Sequence, residues 1–243
     1  MLSIYFKELR SFFSSIVGYV VLLVFLVACG LFLWVLPDSN ILDYGYASLE
    51  QFFTIAPWLL LFLIPAITMR SFADEFRGGT IEWLSTKPLT SNQIVLGKFF
   101  ASLTLVAIAL LPTVIYIFTI HYLAMDDAAL DAGGIIGSYI GLLFLAAAFT
   151  AIGIFSSSLT DNQIVGFLVA IFLCFLLYIG FEGLSRIAAF RGGADYYLGL
   201  IGMDYHYNSM NRGVIDSRDV IYFLSIIILF TALTHFTLAR KKA

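Results

Sequence analysis

The stretch Ile135-Ile-Gly-Ser-Tyr-Ile-Gly-Leu-Leu-Phe-Leu-Ala-Ala-Ala-Phe-Thr-Ala-Ile-Gly-Ile-Phe-Ser-Ser-Ser-Leu159 runs for 25 residues without an Asp, Glu, Lys or Arg. A bilayer core about 30 Å thick needs roughly 17 to 25 apolar residues per helical crossing, so this stretch reads as a membrane span. Five further runs lack strong charge in the same way: Ile16–Leu36, Phe52–Met69, Phe99–Ile120, Ile164–Phe181 and Val220–Leu238. Together the six make up about half the chain. Their apolar positions are continuous rather than alternating, which excludes a transmembrane barrel. The fold class is therefore an all-α polytopic membrane protein, and an even number of spans puts both termini on one side.

Composition agrees with this reading. Of 243 residues 61% are hydrophobic and only 12% charged, with mean hydropathy +0.97, whereas a soluble domain is about 25% charged. A soluble enzyme, a disordered segment and a nucleic-acid binder are excluded. The net charge of −3 supplies no basic field for a phosphate backbone. Cys29 and Cys174 both fall inside apolar runs, where a thiol acts as a small hydrophobe.

Orientation follows from where the basic residues lie. Lys7, Arg10, Arg70, Arg77, Lys87, Lys98, Arg240, Lys241 and Lys242 are nine of the thirteen Lys and Arg, and all fall on the side of the termini. The first and third connections carry Asp38, Asp43, Glu50, Asp126, Asp127 and Asp131 but no Lys or Arg. Both termini are expected in the cytoplasm of a bacterium, with the chain in its inner membrane. Residues 1–15 precede the first span with Leu2, Tyr5, Phe6, Leu9, Phe12 and Phe13 at spacings of three and four, the pattern of an amphipathic helix lying in the interface. Leu26-Val-Ala-Cys29 spells a lipobox, but the apolar run continues through Val35, past the length of a signal-peptide core.

The spans carry no internal strong charge, so the buried carboxylates of an ion-coupled transporter are not visible. Ser156, Ser157 and Ser158 read as helix back-bonding serines rather than nucleophiles, since the sequence ties no His to them. His206 lacks Cys, His or acidic partners at metal-ligand spacing, and no metal or cofactor is expected. Gly133, Gly137 and Gly141 form overlapping GxxxG units, a seam for close packing within the chain or between two copies. Pro57, Pro65 and Pro112 lie inside spans, where each removes a helix hydrogen bond.

The connection from Arg70 to Lys98 is rich in helix punctuation. Helix should continue through Phe72, Ala73 and Phe76 and end at Gly78-Gly79; Thr80 is placed to cap a short helix through Ile81, Glu82, Trp83 and Leu84, stopped before Pro88. Thr90 and Gln93 make a capping box for the third span. Exposed Phe72, Phe76 and Trp83, rimmed by Glu75 and Glu82, would suit a protein contact.

Glu75, Gly79-Thr80, Glu82, Leu84, Pro88 and Gly97-Lys98 resemble the segment between the second and third spans of ABC transporter permeases of the type-2 exporter class. Met69-Arg-Ser-Phe-Ala-Asp-Glu-Phe-Arg77 and Arg212-Gly-Val-Ile-Asp-Ser-Arg-Asp-Val-Ile-Tyr-Phe-Leu224 are similar to the gliding-motility-associated branch of that class. The resemblance implies a single transmembrane domain over residues 1–243, with residues 70–98 as a cytoplasmic coupling helix segment docked on a separate ABC ATPase. Phe72, Glu75, Phe76, Gly79, Thr80, Glu82 and Trp83 would form that joint. It also implies a second permease copy or permease-like subunit, with ATP and Mg held by the ATPase. The sequence itself has no Walker A loop: its Gly-Lys pair, Gly97-Lys98, is followed by Phe99 and preceded five positions earlier by Asn92. A membrane scaffold for a motility or secretion machine is the competing reading. In the external segment, residues 182–219, short apolar stretches suit half-helices, with Asp216 or Ser217 capping the last span. Glu182, Asp216, Arg218 and Asp219 are the candidates there for an external gate.

Overall fold

The fold was obtained as a computed structural model, which describes residues 1–37, 40–41, 48–80, 90–124, 131–187 and 193–242. The described residues are helical, without strands. Six helices are long and apolar enough to cross a membrane: Ile16–Trp34, Glu50–Arg77, Ser91–Leu123, Ala132–Leu159, Gln163–Ser185 and Ser217–Lys241, here the first to sixth spans. Each contains its expected apolar run to within two residues, but the second and third extend well beyond theirs. Glu75 and Lys98, assigned by sequence to a connection, are therefore held on helix.

The fourth span is the centre of the bundle. Leu142, Leu145, Ala146, Ala148, Phe149, Ala151 and Ile152 are wholly buried, and it packs on the second, fifth and sixth spans. Its glycines set the closest approaches. A Cβ at Gly137 would sit 2.7 Å from Gly213 Cα, one at Gly141 would sit 2.9 Å from Met210 Cβ, and one at Gly153 would sit 2.1 Å from Thr68 Oγ1. Gly137 and Gly141 thus pack within the chain, against Met203–Asn211 and the turn that follows it. Gly133, the third member of the seam, meets only the Asp131 side chain at 3.5 Å.

Helix ends follow the punctuation of the sequence. Thr90 Oγ1 accepts from the Gln93 amide and the Gln93 side chain accepts from the Thr90 amide, so the capping box is formed. Gly79 adopts φ +65°, closing the helix that ends at Arg77. Asp216 Oδ1 accepts from the Arg218 amide and caps the sixth span. Pro112 falls in a 3-10 turn, Leu111–Val114, that interrupts the third span. The Thr80 hydroxyl donates back to the Glu75 carbonyl at 3.4 Å, and the amides it is expected to cap lie outside the described residues. The short helix expected at residues 81–87, with Glu82 and Trp83, lies outside the described residues.

The amphipathic leading segment forms a helix, Leu2–Phe13, with two unlike sides. Ile4 is buried against Gly97 of the third span, where a Cβ would lie 3.1 Å from Ile4, while Leu2 and Phe6 face outward. At the other terminus, Lys241 Nζ donates to the Ser158 carbonyl at 3.1 Å and lies 3.7 Å from the Phe76 ring centroid. Both termini therefore occupy one end of the bundle.

Candidate functional site

At the terminal end, four charged side chains join three elements. Lys98, on the third span, is 1% exposed. Its Nζ donates to Glu8 Oε1 of the leading helix at 2.7 Å and to the Ser71 carbonyl at 2.5 Å, and lies 3.0 Å from Glu75 Oε1 at the end of the second span. Lys7 Nζ donates to the same Glu75 oxygen at 2.8 Å. The Phe72 ring lies 4.9 Å from Lys98 Nζ, close enough for cation–π attraction. A buried ammonium is tolerated only where paired and hydrogen-bonded, and this one has two carboxylates, a carbonyl and a ring face. Burial works against the Lys7 ammonium, but the hydrogen bond and charge of Glu75, with smaller help from Glu8, raise its pKa above the ordinary lysine value.

The backbone beneath Glu75 is set by Ser157. The second span breaks at Met69, four residues after Pro65. Ser157 Oγ accepts from the Phe72 and Ala73 amides at 3.0 and 3.2 Å and donates to the Met69 carbonyl at 2.9 Å. A side chain from the fourth span thus satisfies the turn where two helical segments of the second meet. Ser156 and Ser158 bond to Ile152 and Phe155 carbonyls within their own helix, as expected of back-bonding serines.

This geometry corrects the expected exposure of the joint. Phe72 is wholly buried and Glu75 is 7% exposed, because Lys98 of the third span lies against the Phe72 ring and, with Lys7 of the leading helix, against the Glu75 carboxylate. Phe76 is half-buried beneath Lys241, stacked 6.2 Å from Phe72. Gly79 and Thr80 are exposed at the start of the 81–89 stretch. The sequence marks Lys7 only for orientation and Lys98 only within the Gly97-Lys98 pair, and assigns neither of them nor Glu8 to the joint. The signal was faint: Glu8 and Lys98 are 90 positions apart, and the helix of the third span begins before its apolar run.

At the opposite end, two short helices, Ala194–Ile201 and Met203–Asn211, lie between the fifth and sixth spans; they do not coincide with the apolar stretches 184–190 and 198–203 expected to form half-helices, and residues 188–190 lie outside the described residues. The expected gate candidates are divided by the structure. Asp219 is buried and takes His206 Nδ1 at 2.7 Å, while His206 Nε2 lies 2.9 Å from the Leu200 carbonyl. Both ring nitrogens thus face oxygen acceptors, and the ring stacks 3.8 Å from that of Tyr222. Glu182 pairs with Arg186 and borders a cavity of about 800 Å³ that Asp204 also lines. Burial, reinforced by the neighbouring Glu182 carboxyl, pushes Asp204 from 3.8 up to about 6. Asp216 is the helix cap already described, and Arg218 is exposed.

The structure thus carries a buried ionic knot joining three helices at the terminal end and a buried His206–Asp219 pair at the other. The family model for ABC-2 family transporter proteins matches residues 3–194, most of the chain. The chain belongs to that family. This ABC-2 protein is thus a permease, the multi-pass membrane subunit of an ABC transporter, and the family implies an ABC ATPase as partner. No curated protein matches the ABC-2 sequence. The match includes the leading helix, the first five spans and all four members of the ionic knot; the sixth span lies beyond it.

Proposed function

We infer that this permease couples ATP hydrolysis on a separate nucleotide-binding subunit to export across a bacterial inner membrane, with both termini cytoplasmic. The Arg70–Lys98 bracket is the docking element, and Gly79, Thr80, Glu82 and Trp83 face the ATPase. The observation that carries this reading is the buried contact of Glu75 and Lys98, which stand at the two ends of the bracket. A push on the bracket reaches the second span, the third span and the leading helix together through Lys98, because each contributes an atom to its coordination. The excess of Lys and Arg on the terminal side supports the orientation. The wording of residues 69–77 and 212–224 supports an association with gliding motility. A second permease copy or permease-like subunit completes the membrane pathway.

Purified permease and its cognate ATPase, reconstituted in vesicles, provide the test. Glu82→Arg is expected to abolish association. Lys98→Met should preserve association but remove the permease's stimulation of ATP hydrolysis. Normal stimulation in both variants would refute the docking reading, and ATP-driven work without movement of lipid, polysaccharide or peptide cargo would replace export with a scaffold role.

A further inference from the structure

Beside the ionic knot lies a cavity of about 190 Å³ walled by the leading helix and the first three spans. Its walls hold two orphaned atoms of opposite kind. Glu75 is more than nine-tenths buried, and its Oε2, the oxygen that Lys7 and Lys98 do not use, has no hydrogen-bond partner. Arg70 reaches Ser15 Oγ at 3.4 Å, but its buried Nε has none. Buried polar atoms are rarely left unsatisfied, so such a pair calls for a ligand carrying both an acceptor and a donor. Ser15 precedes the first span, whose start has no side-chain cap; the Gly18 amide bonds back to the Ser15 carbonyl at 3.1 Å, and Val17 and Gly18 line the same cavity. A guanidinium beside the start of a helix favours phosphate.

The cavity does not end there. At Val21 and Ala66 it adjoins a second, almost wholly apolar groove of about 270 Å³ between the first and second spans, which ends at Phe25, Ala28 and Phe167. From Val17 to Ala28 the two cover about 16 Å along the helix axis, roughly half the thickness of a hydrocarbon core. A polar compartment at the end of the bundle leading into an apolar groove one leaflet deep has the shape of a phospholipid.

We propose that this compartment binds a zwitterionic aminophospholipid, phosphatidylethanolamine in class. Its phosphate lies on Arg70, Ser15 and the start of the first span; its ammonium lies on Glu75 Oε2; one acyl chain follows the groove. Charge selects the headgroup. Lys7, Arg70 and Lys98 balance Glu8, Asp74 and Glu75, so an anionic lipid would leave its charge uncompensated. A quaternary choline has no N–H to give Glu75. The inference stands apart from the coupling reading, because it is measured as bound lipid rather than as ATP turnover.

Native mass spectrometry of the full chain, released from nanodiscs of equal parts phosphatidylethanolamine, phosphatidylcholine and phosphatidylglycerol, tests it. Phosphatidylethanolamine should be retained about tenfold over each of the other two lipids, the size of one charge-assisted hydrogen bond. Arg70→Gln should lose the retained lipid. Ala66→Phe, which blocks the junction of the two compartments without touching a charge, should lose it as well. Retention of the three lipids in proportion to the mixture, preference for either of the other two, or undiminished retention in both variants would overturn the proposal. The wild-type competition decides even if a variant fails to fold.

Discussion

Replacing Lys98 by Met keeps most of the side-chain volume and removes only the charge, so it isolates what the buried ammonium does. In the native chain that group is 1% exposed and lies 2.7 and 3.0 Å from two carboxylates and 2.5 Å from the Ser71 carbonyl. Without it Glu75 keeps only Lys7, whose side chain is about half exposed, and Glu75 Oε2 already lacks a partner. Removing one member of a buried pair costs about 3–5 kcal/mol, chiefly because the surviving charge stays buried. The partial rescue by Lys7 argues for the lower figure, about 3 kcal/mol. For a chain of this size that is a fall of roughly 6–12 °C in Tm, measurable by thermal unfolding in nanodiscs. The companion variant Glu75→Gln removes the buried anion, so the double variant should be more stable than the sum of the two single losses by about 1.5 kcal/mol or more. A Lys98→Met protein melting within about 1 °C of wild type, or losses that simply add, would refute the assignment of Lys98 as the clamp of this joint.

Ser157→Ala leaves the Phe72 and Ala73 amides without their hydroxyl acceptor; a loss of about 2 kcal/mol and faster hydrogen exchange at both amides are expected. Gly137→Ala drives a Cβ to 2.7 Å from the backbone of Gly213, itself held at φ +81°, and should cost about 1–3 kcal/mol, whereas Gly133→Ala meets ordinary contact and should leave Tm unchanged. Equal losses at both glycines would point to a seam between copies instead. Asp204 binds its proton more tightly in the folded state, at about 6 against 3.8. Its contribution to stability is full below pH 3.8 and is lost as pH rises through about 6, so Asp204→Asn should flatten the fall in Tm across that window.

Much of the architecture was legible in sequence because it depends on local chemistry. The expected helix stop at Gly79 and the Thr90–Gln93 box formed because each satisfies backbone groups within a few residues of itself. The glycine seam was legible as a request for close packing, but not its recipient. That recipient, the Met203–Gly213 stretch, lies about seventy positions downstream. The candidate joint was half legible. Glu75 was assigned to it, while its partners were not, and Phe72 was placed outside when it lies inside, because helical periodicity cannot report which neighbour covers a face. His206 was set aside for want of a partner at ligand spacing, yet Asp219, thirteen residues on, reaches it once the sixth span returns beside Met203–Asn211.

By itself, then, the sequence determined six crossings and the presence of both termini on one side, though the second and third helices run about two turns past their apolar runs. The reason is that the free energy of placing a charge or an unpaired amide in hydrocarbon is a property of each segment alone. Only the tertiary structure decided what the few remaining charges do. Glu8, Glu75 and Lys98 are distant in the chain and unremarkable singly; burial together gives each a compensating partner and ties three helices to one ammonium. The same packing strands one donor and one acceptor in a single cavity, a juxtaposition that depends on how helices meet and so has no signature in any one of them.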